Sequence, residues 1–523
     1  MKPKAIGFLL ILIILLIPSI YSLLQPGFFQ TDDGEWMVIR FSAFYQALSD
    51  GQFPVRFLGR LNFGYGYPVA NFLYPGFMYM ATPLQILGFG FVNSVKLILI
   101  LSMLGGGVFA FAWLSKLFDR TSALIGALFF TYTPYHIFDL YKRGSVGEVL
   151  SIGILPFIFW QIERKSVFWI AIGVFLLILA HNTLAALFLI LILGYMFLNV
   201  YVSQLKNELI SKYLAAVLIG LGMASFFWIP AFYELRYTFF SNTQISQWAS
   251  YFADIELIGL STFAIFASIF ILIIFKKIEI KKHRLTVLFL VTGLSSAFLA
   301  TSVSSQVWNF LPTSFIQFPF RILSLLVPSI AFLAACVVSV IKGRNKTILA
   351  GVFVVLAFAS SLPFLSPKET FDKGEGFYST NEATTTVKDE YMPRWIIQKP
   401  DKRFVEKVEI LEGDGKIEDL AYNSKNISFD VVSVNGGVVR MNTIYYPGWK
   451  AKIDGQDILI DFGNERGVID VKVPPGRSSL EVYFTETPVR LASDAISILA
   501  FFILIFWSSK GIIKTKLARQ KNG

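Results

Sequence analysis

Long apolar runs recur along the chain, separated by short polar stretches. A membrane-spanning helix needs about 20 mostly apolar residues. Twelve segments read as such spans: 5–24, 93–115, 121–138, 146–162, 166–181, 184–203, 213–232, 256–276, 285–301, 319–341, 346–364 and 491–509. Lys2 and Lys4 precede the first run, as in a signal peptide, but no small-residue cleavage site follows, so it reads as a retained helix. Residues 69–90 are also apolar, yet Pro75, Pro83 and several aromatics interrupt them. Between the last two runs the pattern changes to alternation. Ile427, Phe429 and Val431 fall on one strand face, as do Leu480, Val482 and Phe484. Asp454-Gly455 between strand-like runs predicts a type I′ hairpin, and Pro474-Pro475-Gly476 predicts another turn.

Composition agrees with the pattern. Of 523 residues, 55% are hydrophobic and 15% charged, with a mean hydropathy of +0.61, which excludes a purely soluble enzyme and a disordered chain. The net charge of +11 is explained by topology. If 69–90 does not cross, the cytoplasmic segments carry 21 Lys and Arg against four acids, in accord with the positive-inside rule. If it crosses, the basic run 276–284 faces outward. Residues 69–90 therefore read as an interfacial or re-entrant piece on the outer face, with both termini cytoplasmic. Segment 365–490 holds 17 basic and 21 acidic residues, so nothing calls for nucleic acid. One cysteine, Cys336, excludes an intramolecular disulfide and a multi-cysteine metal site, and three histidines leave little for a zinc centre.

The unusual polar residues gather on the predicted outer face. Asp32 and Asp33 follow the first span. A helix runs on to about Leu48, with Trp36, Met37, Phe41, Phe44, Tyr45 and Leu48 on one side, which predicts an interfacial amphipathic helix. Asp32 with Glu35 resembles a capping box; Asp33 has no such explanation, and a carboxylate there can serve as a general base. Arg143 precedes Glu148 by five residues, which reads either as an internal ion pair or as a phosphate site at a helix start. Lys142 reads as a membrane anchor. His181 sits where two spans meet and reads first as a structural residue. Arg321, at the outer end of a span, points to function by its depth, or to a partner among Glu234, Asp254 and Glu256. Asp389-Glu390-Tyr391 is a weak signal alone. Gly64-Tyr65-Gly66-Tyr67-Pro68 with Phe72, Tyr74 and Pro75 reads as an aromatic belt, with sugar stacking as the alternative.

Taken in order, DDGEW, ALSDGQFPVRF, GYGYP, FLYP, DLYKRGSVGEVL, LAHNTLA, QFPFRIL and KDEYMPRW resemble bacterial membrane proteins of the "6-pyruvoyl-tetrahydropterin synthase-related domain" type. These are similar to GT-C glycosyltransferases of the YfhO-like and mannosyltransferase kind, and YYPGWKAKIDGQ with VPPG looks like the outer domain of YfhO-like proteins. The resemblance spans most of residues 30–490. It implies an enzyme using a lipid-linked sugar on the outer face, with an essential acid in the first outer loop that Asp33 matches best and Asp32 assists. Relatives often carry a histidine shortly after this acid, where Trp36 and Met37 stand here. The pterin label carries no activity across, because three scattered histidines cannot build its zinc site.

The expected protein is an α-helical polytopic membrane protein of about twelve spans, GT-C-like, with an extracytoplasmic β-rich domain before the last span. Residues 1–364 form the transmembrane domain, with its first outer loop at 25–92. Residues 365–490 form the β-rich domain, and 491–523 the last span and a basic tail. The expected activity is transfer of a sugar from a polyprenyl-phosphate donor to a glycan, lipid or protein acceptor at the inner membrane. Asp33 and Asp32 are catalytic; Arg143, Arg321, Glu148 and His181 bind the donor phosphate. No cofactor is called for, and a divalent metal on Asp32 and Asp33 has no residue signal behind it. The rival classes are a flippase or transporter of lipid-linked glycans, against which stands the near absence of mid-span charge, and a non-catalytic envelope assembly protein.

Overall fold

The computed structural model describes residues 3–202, 206–242, 248–278, 283–383 and 389–521. Among them, seven helices are long and apolar enough to cross a membrane: Ile6–Leu24, Phe91–Leu114, Val146–Glu163, Asn182–Tyr201, Pro319–Val340, Gly343–Phe364 and Pro488–Ser508. Two bent pairs raise the number to nine: Asn207–Met223 with Ser225–Tyr237, bent by 65°, and Arg284–Leu299 with Ser302–Trp308, bent by 86°. The chain is a multi-pass membrane protein, but the expected twelve spans are not all of this kind. Val167–Ala180 has 14 residues and Leu260–Ile274 has 15, or roughly 21–23 Å of helix against a ~30 Å hydrocarbon core. The run 121–138 breaks into Arg120–Tyr132 and Pro134–Phe138, because the residue before a proline is pushed out of the helical region and Thr133 has ψ 127°. Residues 69–90 give a short 3-10 turn, Pro68–Asn71, and an 11-residue helix, Gly76–Ile86, too short to cross. Part of the basic run 276–284, residues 279–282, lies outside the described residues.

The helix Gly34–Ser49 corrects the interfacial reading. Met37, Phe41 and Phe44 are buried as expected, but so are Val38, Ile39, Ala43 and Ala47 from its other sides. Only Gln46 and Ser49 are fully exposed, so protein rather than lipid covers this helix. The Gly/aromatic cluster is likewise no belt. Tyr65, Tyr67, Phe72 and Tyr74 are all buried, and Tyr446 lies edge-on to Phe72 across the junction with the C-terminal sheet.

After Gly343–Phe364 the chain becomes β-rich. In chain order the strands are β1 (Phe28–Phe29), β2 (Thr370–Phe371), β3 (Val408–Gly413), β4 (Lys416–Tyr422), β5 (Asn426–Ser433), β6 (Gly437–Ile444), β7 (Trp449–Ile453), β8 (Gln456–Ile458), β9 (Val468–Val473) and β10 (Gly476–Phe484). A five-stranded sheet has the order β4-β5-β10-β7-β8, and a three-stranded sheet β3-β6-β9. Ile427, Phe429, Val431, Leu480 and Val482 point inward and are buried, as the alternation predicts. Asp454 and Gly455 take φ of 49° and 82° between the paired Ile453 and Gln456, the geometry of a type I′ turn.

Two features tie this part to the helices. β1, from the first loop, pairs antiparallel with β2. Glu234, on the bent helix, accepts from Nε and Nη2 of Arg490 at 2.8 Å, from the Tyr446 hydroxyl at 2.7 Å and from the Asn71 amide at 2.8 Å. Four distant stretches meet on one buried carboxylate, and the geometry needed to offset its desolvation is present.

Candidate functional site

Two strands of loop cross at the first candidate acids. The backbone N–H groups of Asp32 and Asp33 donate to Lys142 O and Arg143 O at 3.1 and 2.8 Å. Gly144 makes the approach possible: its φ is +65°, and a Cβ there would lie 2.5 Å from Thr31 Oγ1 and 2.9 Å from Gly34 N. Capping of the following helix falls to Thr31, whose Oγ1 accepts from Gly34 N at 2.8 Å. Asp33 occupies the cap position without a side-chain capping bond, so the capping reading of Asp32 is overturned. Asp32 instead accepts from Lys142 Nζ at 2.9 Å, and Lys142 is an ion-pair partner rather than an anchor alone.

The next layer is buried. Arg143 donates to Asp33 Oδ2 at 3.1 Å and to Glu148 Oε1 at 2.5 Å. Arg321 Nε donates to the same Glu148 oxygen at 2.9 Å, so its partner is Glu148 and not Glu234, Asp254 or Glu256. Arg321 Nη1 donates to Ile316 O at 2.8 Å and to Gln317 Oε1 at 3.0 Å. Both guanidiniums lie about 5 Å from the Phe318 ring centroid, at 5.1 and 5.0 Å. His181 Nε2 stands 3.8 Å from Glu148 Oε1, its Nδ1 accepts from Leu184 N at 3.3 Å, and its ring lies 4.6 Å from Tyr74. Asp139 is 3.5 Å from Arg143 Nη1, and burial holds its carboxyl well above the usual range. Between two cations and a hydroxyl from Tyr135, Glu148 is the centre that positions both arginines.

These groups face one cavity of about 610 Å³. Asp32, Asp33, Arg143, His181 and Arg321 line it, and Glu148 stands fully buried behind them. Asp33 keeps 41% of its side chain exposed while the Arg143 side chain keeps 5%. Much of the remaining lining is apolar: Ile178, Ala185, Leu189, Leu221, Trp228 and Phe232. Two further charged residues of the lining went unchosen in the sequence. Arg40 lines the cavity one helical turn beyond Trp36. Glu390 lines it from the segment after Gly343–Phe364, and its Oε2 has no hydrogen-bond partner among the described residues. Burial lifts its carboxyl to about 7, against the pull of Arg40. Beside it Tyr391 stacks on Phe72, centroids 5.0 Å apart. In the sequence Glu390 gave only the weak Asp389-Glu390-Tyr391 signal and its place in the KDEYMPRW motif.

The donor set does not fit a metal bridging the two aspartates. Each is paired with a cation, Glu148 is taken up by two arginines, and the described residues hold no group of three His, Cys, Asp or Glu side chains placed to bind an ion.

The fold and cavity define a multi-pass membrane protein with a charged chamber to which Glu390 and Tyr391 of the segment after Gly343–Phe364 contribute. No family model matches the chain, and no curated protein does. Among solved structures it is similar to the arabinofuranosyltransferase AftD from Mycobacteria, at 14% identity and a TM-score of 0.46 over 72% of this chain and 28% of that one. It is also similar to the oligosaccharyltransferase of Archaeoglobus fulgidus in complex with Zn and sulfate, at 12% identity and a TM-score of 0.44 over 74% and 58%. A third is the same organism's AglB with an inhibitory peptide and a dolichol-phosphate, at 12% and 0.42 over 73% and 57%. The chain spans less than two thirds of the length of each.

Proposed function

We propose that the chain is a membrane glycosyltransferase that moves a sugar from a polyprenyl-phosphate donor to a hydroxyl or amide acceptor on the outer face of the cytoplasmic membrane. The observation that carries the reading is the mixed lining of the cavity. It offers apolar side chains, as a prenyl chain requires, and sets a half-exposed carboxylate against buried guanidiniums. The motif resemblance to GT-C and YfhO-like proteins supports the same reading. Asp33 takes the proton from the acceptor as its heteroatom bonds to the anomeric carbon. The bond from that carbon to the phosphate oxygen breaks, and polyprenyl phosphate leaves with the electron pair. Arg321 and Arg40 offset its growing charge. Arg143, committed to Glu148 and Asp33, is assigned to positioning the base rather than to the phosphate.

Asp33→Asn tests this with purified full-length protein and a polyprenyl-phosphate sugar. Transfer is expected to fall ~10²–10⁴-fold, the usual cost of losing a general base, with the melting temperature within a few degrees of wild type. Full activity in this variant removes Asp33 from the chemistry. Full activity with Glu390→Gln as well removes both carboxylates from the base role, whereas no transfer by the wild-type protein overturns the transferase reading and favours a carrier of lipid-linked glycans.

A further inference from the structure

A second cavity, of about 640 Å³, shares no lining residue with the first. It lies further along Gly34–Ser49, between Tyr45, the stretch from Phe57 to Gly64, and the β-rich part. Its size is within the ~300–1,000 Å³ range of small-molecule sites. Three properties of its wall stand out. Trp449 and Thr443 line it, both more than nine-tenths buried, and neither Trp449 Nε1 nor Thr443 Oγ1 has a hydrogen-bond partner among the described residues; Arg60 Nε is in the same state. Flat apolar surface comes from Phe57, Phe404, Tyr422 and Trp449. The charged groups on the wall are Arg60, Arg403 and Lys407 against Glu382, which is taken by Arg403; both Nη atoms of Arg60 already donate, to Gln46, Ser42 and the carbonyls of Ile39, Tyr378 and Ser379.

Lys407 is the centre of that surplus. It is buried and donates to two backbone carbonyls, Gly64 O at 3.0 Å and Asn442 O at 2.8 Å. Its ammonium lies 4.9 Å from the Phe404 ring centroid and 5.7 Å from that of Tyr422. Burial and the neighbouring Arg403 lower it to about 7, so a bound anion would repair an existing deficit. Buried donors with no partner cost free energy that a hydroxyl-bearing ligand recovers, ring faces accept the C–H side of a pyranose, and a cation surplus takes a carboxylate.

We propose that this cavity binds an acidic saccharide, with Lys407 on the carboxylate, Trp449 Nε1 and Thr443 Oγ1 on hydroxyls, and an aromatic face under the ring. The site does not depend on the transfer reaction assigned to the first cavity. Isothermal titration of the full-length protein in detergent tests it with trigalacturonate, the neutral cellotriose and inorganic phosphate as probes. Trigalacturonate is expected to bind at least about tenfold more tightly than cellotriose or phosphate, the scale of one charge-assisted hydrogen bond. Lys407→Met is expected to weaken it by about tenfold or more, with partial return in Lys407→Arg; Trp449→Phe, which keeps a ring and loses the N–H, should weaken it about threefold to tenfold. Asp33→Asn should leave binding unchanged, which separates this site from the fate of the transfer mechanism. Equal affinity for trigalacturonate and cellotriose, phosphate binding as tight as trigalacturonate, no binding to the wild-type protein, or unaltered affinity in both Trp449→Phe and Thr443→Val overturns the proposal.

Discussion

Glu390 and Asp33 share a cavity but not an environment. Glu390 is buried with one oxygen unpartnered among the described residues, and its carboxyl is lifted from 4.5 to about 7. A carboxyl raised in the folded state binds its proton more tightly there than in the unfolded chain. The stability it lends is therefore full below about 4.5 and is lost as the pH climbs through 7. Glu390→Gln keeps the shape and abolishes the titration. Its melting temperature should equal that of wild type at pH 4 and exceed it at pH 8, by an amount worth on the order of 1–3 kcal/mol. Thermal unfolding at the two values reads this directly, and a variant less stable at pH 8 refutes it. At this scale the sequence reading went furthest with charge at a span end. Asp33, Arg143, Glu148, His181 and Arg321 converge as a group, since charge near the bilayer must find charge. The pairing was not readable: Arg321 meets Glu148 across 173 positions, and no local rule ranks that partner above Glu234.

Short elements carry the geometry of the site. The turn after Arg143 has to let Thr31 and Gly34 come within van der Waals distance of the backbone, and only glycine at 144 allows it. Gly144→Ala meets both a left-handed φ, at about 1–2 kcal/mol, and a clash with Thr31 Oγ1. It is expected to reduce transfer more than tenfold while lowering thermal stability by about 2 kcal/mol. Activity per folded protein, normalised by size-exclusion yield, separates the two effects; wild-type turnover would show that Asp33 needs no support from this turn. The same region shows why the capping motif misled. Asp32 and Glu35 have the right spacing, but Lys142 from a later turn claims Asp32, and Thr31 supplies the cap. Strand alternation and the Asp454-Gly455 turn, by contrast, are governed by neighbours in sequence, and they stand where the pattern put them. Helix length behaved differently again. Counting apolar residues passes over a break such as Thr133-Pro134, which the proline itself imposes on the residue before it.

Across the whole molecule, orientation follows from charge and can be read by labelling. The native Cys336 is buried, so a cysteine added elsewhere reports alone. Gly376 is exposed with open space around it, and Asn345 is exposed in the first turn of the helix Gly343–Ser361. With the basic loops inside, a membrane-impermeant maleimide applied to intact cells should modify Gly376→Cys and spare Asn345→Cys until the membrane is opened. The reverse pattern moves the cavity to the other face and ends the lipid-donor reading. The large-scale arrangement was the least readable in advance, because an apolar segment such as Gly34–Ser49 looks the same whether lipid or protein will cover it.

The pairing of β1 with β2 and the placing of Asp33 and Glu390 on one cavity also set an order in time. Asp33 leaves the ribosome early and Glu390 late, after most of the helices have been threaded into the bilayer. A partly synthesised chain thus displays the acid while the cavity still lacks Glu390 and Tyr391. The proposed transfer therefore waits until nearly all of the chain has been made.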